Sequence, residues 1–99
     1  MDTIIRGTTP TIIFTFTDFD PTEAEKVIVT FSNGLEITET DMDITTTSIS
    51  VWLSQEQTLQ MTQGVITVQI NFLFTDGQRV ATQPQRIEWS KNLHNEVMA

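Results

Sequence analysis

Between Val65 and Phe74 every second residue is large and apolar: Ile66, Val68, Ile70, Phe72 and Phe74 alternate with Val65, Thr67, Gln69, Asn71 and Leu73. Successive side chains of an extended chain point to opposite faces, so this spacing collects one apolar face only in a β-strand. Wound as a helix, the same residues would spread around the cylinder. The segment therefore commits the chain to sheet structure, and the rest of the sequence is read for strands that accompany it.

Several follow. In Thr11–Thr17, Ile12, Phe14 and Phe16 share one face while Thr11, Thr15 and Thr17 lie on the other. Pro21 and four carboxylates in "DFDPTEAE" break that run into a loop. "KVIVTF" puts Val27, Val29 and Phe31 inward, reaches Asn33-Gly34, and resumes with Leu35 and Ile37. Asn-Gly between alternating runs predicts a hairpin, since both residues tolerate positive φ. Acidic, threonine-rich sequence over 39–47 offers Met42 and Ile44 as inward anchors, and "SISVWL" directs Ile49, Val51 and Leu53 to the core. Asp76-Gly77 predicts a second hairpin, returning through Val80, Ile87 and Trp89. Pro84 lacks a ladder donor, so the returning strand is an edge or is bulged there.

One stretch departs from this pattern. In "SQEQTLQM", Ser54 and Gln57 have the spacing of a capping box, which predicts a short helical turn over 54–61. It lies where the chain crosses between sheets, and Leu59, with Met61 beside it, is expected to plug the open end of the core. The elements together predict an all-β fold, an antiparallel two-layer β-sandwich. Residues 1–99 form a single domain whose short tail begins at about residue 90.

Composition narrows the functions. Eighteen threonines favour half-buried strands. Thirteen acidic against five basic residues give a net charge of -8, and the basic residues are scattered, so neither nucleic acid nor an anionic membrane is an expected partner. The absence of cysteine removes disulfides, thiolate metal sites and a thiol nucleophile, and points to synthesis in a reducing cytosol. The first residues lack the pattern of a signal peptide, and no window approaches the ~18 apolar residues of a membrane span.

Candidate chemistry is sparse. His94 stands alone in a polar tail, without the nucleophile and orienting group of a triad. Asp18 with Asp20, and Asp41 with Asp43, lack the glycine-turned loop and terminal bidentate glutamate of an EF-hand. Paired carboxylates for glycoside hydrolysis need a cleft that a 99-residue sandwich seldom builds. Trp52 is out of phase with Ile49, Val51 and Leu53: it either faces outward as an aromatic contact or packs partly buried beneath a loop. Trp89 shares a phase with Ile87 and belongs to the core. Trp52 and the outward Thr11, Thr15 and Thr17 are the candidate partner-contact residues; no catalytic, cofactor or metal residue is assigned.

"RGTTPTIIFTF", "VWLSQEQTLQM" and "VQINFLFTDGQRVATQPQRIEW" resemble small Ig-like β-sandwich proteins encoded among the tail genes of phages and prophages of Firmicutes. Those proteins are similar to the N-terminal domain of phage baseplate upper proteins. The resemblance spans about Arg6 to Val97 and rests on structural motifs, the "LSQEQTL" corner and the "DGQ" hairpin. It implies an Ig-like fold and a non-enzymatic virion protein without cofactors. Such a protein is made in the host cytoplasm, acts in the tail or baseplate through protein–protein assembly, and has other tail proteins or further copies of itself as partners. There are departures from a true immunoglobulin domain: no cysteine pair, no tyrosine, and an Asn33-Gly34 hairpin joining consecutive strands in one sheet. The alternative is a carbohydrate-binding or adhesion module that uses Trp52 or loop carboxylates.

Overall fold

The alternating segment forms the spine of the molecule. In the computed structural model, which describes residues Asp2–Met98, the nine strands run in chain order as β1 (Asp2–Ile5), β2 (Thr11–Thr15), β3 (Lys26–Phe31), β4 (Glu36–Thr38), β5 (Met42–Ile44), β6 (Ser48–Trp52), β7 (Gly64–Leu73), β8 (Arg79–Ala81) and β9 (Gln85–Ser90). A single short helix, α1 (Gln55–Leu59), lies between β6 and β7. β7 pairs with β3 along one edge, from Lys26↔Leu73 to Phe31↔Val68. Its other edge is shared by β9, next to Gly64–Val68, and β8, next to Asn71–Leu73.

The gap between β8 and β9 falls at Pro84, as its missing donor requires. Thr82 keeps the ladder closed there: its N–H donates to Ile70 O at 2.9 Å, and its Oγ1 accepts from Ile70 N at 3.0 Å. A side-chain hydroxyl thus replaces the acceptor that a regular strand would supply.

The strands divide into two sheets, ordered β1-β9-β7-β3-β4, with β8 beside β7, and β2-β6-β5. The all-antiparallel expectation is corrected at one place, because β1 runs parallel to β9 from Asp2↔Ile87 to Ile5↔Ser90. Parallel neighbours need a long connection, and nearly the whole chain lies between these two. Immediately after β1 the chain changes sheet. Gly7 makes that corner at φ 81°, where a Cβ would meet Leu59 Cδ2 at 3.1 Å.

Both hairpins form where Asn-Gly and Asp-Gly place them, with a different turn from the one in which both central residues take positive φ. Gly34 N and Gly77 N donate to Phe31 O and Phe74 O, and only the glycines have positive φ, at 98° and 88°. These are three-residue loops ending in a left-handed glycine. Asn33 Oδ1 and Asp76 Oδ1 accept from Leu35 N and Gln78 N, so the polar side chains brace the turns.

Inward residues of both sheets meet in one cluster: Val27, Val29, Phe31, Ile66, Val68, Ile70, Phe72, Ile87 and Trp89 from the first, Phe14, Met42, Ile49 and Val51 from the second. Alternation predicts each of these faces. Trp89 is fully enclosed, and among the described residues its Nε1 is a buried donor without a partner. The first expected strand is shorter than its apolar phase suggests. It stops at Thr15, and Asp18 takes a left-handed φ of 58°, which ends extended chain. Thr17 is therefore corrected from the strand face to an exposed bend. The turn folds Phe19 back against Phe16, Phe72 and Phe74, with ring centroids 4.8–6.1 Å apart.

At the corner, α1 has the capping box its sequence predicts: Gln57 N donates to Ser54 Oγ at 3.2 Å, and Ser54 N donates to Gln57 Oε1 at 2.9 Å. The plug assignment holds for Met61, which is fully buried in the core, and is corrected for Leu59, which is only half-buried against Gly7. The helix instead turns Thr58 inward, where Oγ1 donates to Thr8 O at 2.7 Å. Replacing Ser54 with alanine is expected to cost about 1 kcal/mol in urea unfolding, with the two sheets unchanged by circular dichroism.

Arg6 fastens the same corner to the chain ends. Its guanidinium donates to Met61 O and Leu59 O, and its carbonyl accepts from Asn92 Nδ2 at 2.8 Å. The tail docks nearby, with Met98 N donating to Gln55 Oε1 at 2.8 Å and Gln55 Nε2 to Met98 O at 3.2 Å.

Candidate functional site

The three-stranded sheet turns its outer face to solvent. Phe14, Ile49 and Val51 occupy the core side, so Thr11, Ile13 and Thr15 of β2, Ser48, Ser50 and Trp52 of β6, and Asp43 of β5 lie on the other. Trp52 is 46 % exposed, which settles its orientation as outward rather than beneath a loop.

Register brings two of the predicted contact residues together. Thr11 is directly opposite Trp52, and Thr15 opposite Ser48. Hydrogen bonds from Phe16 N to Thr47 O and from Leu53 N to Pro10 O identify the hydrogen-bonded positions of β2 as residues 10, 12, 14 and 16. Thr11–Trp52 is thus a non-hydrogen-bonded pair, the arrangement with Cα atoms only about 4.5 Å apart and side chains in contact range.

Ile13, opposite Ser50, is diagonal to Trp52 and 63 % exposed. Strand alternation places it among the threonines, so an apolar residue interrupting a polar face was its signal. Trp52 and Ile13 form an apolar pair bordered by Thr11, Thr15, Ser48 and Ser50, with Asp43 carrying a carboxylate on the adjoining strand. Such a surface offers an aromatic plane, an aliphatic contact and hydroxyl groups that donate and accept. Thr17 does not join it.

Elsewhere the acidic residues of the loops are held in local turns. Asp20 Oδ1 accepts from both Thr22 N, at 2.9 Å, and Thr22 Oγ1, at 2.5 Å, capping a one-turn 3₁₀ helix at Pro21–Glu23. Asp18 and Asp20 line an open cleft with Phe16, Phe19 and Phe74, about 470 Å³ in volume. Asp41 and Asp43 fall in a separate one-turn helix and in β5. Among the described residues no three His, Cys, Asp or Glu side chains are grouped to hold a metal ion. His94 is exposed in the tail, where its backbone N–H donates to Asn92 Oδ1 at 3.1 Å.

No family model matches the chain, and no curated protein matches it.

Proposed function

We propose that the chain is a non-enzymatic structural or adaptor module of a phage or prophage tail or baseplate, built as an Ig-like β-sandwich and acting through protein–protein assembly. The observation that carries this reading is the exposed Trp52–Ile13 pair on the outer face of the β2-β6-β5 sheet. Exposed aromatic and aliphatic anchors ringed by polar groups are the pattern of a protein interface. Strand order supports the Ig-like part. With β2, β3, β5, β6, β7 and β9 taken as strands B to G, the sheets read B-E-D and G-F-C, and β4 is the additional strand beside C. The Asn33-Gly34 hairpin then joins C to that added strand, which accommodates two consecutive strands in one sheet. The sequence resemblance supplies the phage context, and the negative charge suits a protein whose partners are other proteins rather than DNA.

Peptide mass spectrometry of tail particles from the phage or prophage that encodes the chain tests this directly. The chain is expected in stoichiometric rather than trace amount. Trp52→Asp is expected to lower incorporation at least tenfold while circular dichroism shows both sheets intact, at a cost of about 1–3 kcal/mol in unfolding free energy because half of the ring is covered. Full incorporation of that variant would remove Trp52 from the interface. Absence of the wild-type chain from the particles, together with glycan binding lost on Trp52→Ala, would replace assembly with carbohydrate recognition.

A further inference from the structure

The free edge of β2 is uncharged, which sets it apart from the outer strands β4 and β5. In β2 the even-numbered residues bond to β6, so the N–H and C=O groups of Thr11, Ile13 and Thr15 point away from it, and the sheet order places no strand there. Natural edges are usually protected by charge, bulges or covering segments. β4 carries Glu36 and continues into Glu39 and Asp41, while β5 carries Asp43. From Gly7 to Thr17, by contrast, no residue is charged, and within β2 no proline removes a donor. In a chain of net charge -8, two copies can approach here with less local repulsion than at β4 or β5.

The edge is also self-complementary. Its outward residues read Thr11, Ile13, Thr15, the same in either direction about Ile13. We infer that a second copy of this chain adds to this edge, β2 against β2 in antiparallel register centred on Ile13, making one continuous sheet across a two-fold axis. The centred register is selected because it opposes Ile13 to its own copy and each Thr11 to the partner's Thr15, while every outward-directed N–H meets a carbonyl. A two-residue slip would place Ile13 opposite threonine and leave edge groups unpaired. The inward neighbours become Ile12 against Phe14 of the second copy, which covers the half-exposed Ile12. A symmetric contact of this kind is isologous and closes at the dimer. This interface rests on the assembly reading and names one surface that it uses.

Light scattering after size exclusion, over a concentration range reaching the millimolar, tests it on the full chain. The wild type is expected to rise from one chain, 11.2 kDa, toward twice that mass. Ile13→Pro removes the central donor of the free edge without touching a bond to β6, and Ile13→Lys puts like charge on the two-fold axis. Both are expected to stay at one chain with unchanged thermal unfolding. Amide exchange of the wild type supplies a readout independent of either variant. The N–H groups of Thr11, Ile13 and Thr15 should gain at least tenfold protection at high concentration. A wild type of one chain throughout, or edge amides that exchange equally at both concentrations, overturns the inference. A dimer retained by Ile13→Pro overturns it too. The assembly reading itself fails or stands in the tail-particle experiment, which does not depend on mass in solution.

Discussion

Phe72→Ala is expected to lower the free energy of unfolding by about 3–5 kcal/mol, the range for emptying a large aromatic site in a packed core. Phe72 is 1 % exposed on the central strand, lies opposite Val27 on one side and Val80 on the other, and meets Phe16 and Phe19 edge-on at 5.7 and 4.8 Å. The neighbouring rings are held by the Asp18 turn and cannot collapse fully into the space. A domain of this size has a total stability of only about 5–15 kcal/mol. The melting temperature should therefore fall by about 15 °C or more, measured by near-ultraviolet circular dichroism. A fall of less than about 5 °C would mean that the aromatic cluster is not part of the cooperative core.

The next largest effect separates the two apolar residues of the corner. Met61→Ala is expected to cost about 2–4 kcal/mol, because Met61 is fully enclosed and Asn33 Nδ2 lies 3.2 Å from its sulfur. Leu59→Ala should cost about 1 kcal/mol, since the side chain is half-exposed and covers Gly7 rather than the sheets. Parallel urea titrations of the two variants give the comparison. The reverse order would return the plug to Leu59 and place α1 in a different rotation.

What sequence alone reveals here depends on how local the cause is. Ile66 to Phe72 and Ile49 to Leu53 could be assigned to the core because period-two alternation is a property of neighbouring residues. The capping box of Ser54 and Gln57 and the left-handed glycines of the two hairpins are local in the same sense. β1 is not legible in its own sequence, because its pairing depends on β9 at the other end of the chain and not on any alternation of its own. Thr58 could not be placed inside from its type. A threonine is buried at little cost only when its hydroxyl is satisfied, and here Thr8 O supplies that acceptor from fifty residues away.

The candidate surface divides along the same line. Phase marks Thr11 and Trp52 separately as outward residues, but their being opposite one another follows from the β2–β6 register, which no short pattern encodes. Thr17 shares the phase of Thr11 and Thr15 and was lost to the left-handed turn at Asp18. Ile13 was hidden by the reverse effect, since an isoleucine beside Ile12 and Phe14 looks like part of an apolar run until the faces are assigned.

The two tryptophans report directly on whether the outer face of the three-stranded sheet is covered in an assembly. Trp52 is 46 % exposed and Trp89 fully buried, and they fall in separate tryptic peptides, so hydroxyl-radical labelling reads them independently even in a mixture of proteins. In the free chain Trp52 should oxidise readily and Trp89 slowly. In purified tail particles Trp52 is expected to become protected at least fivefold while Trp89 remains slow. Equal oxidation of Trp52 in the free chain and in the particle would contradict it.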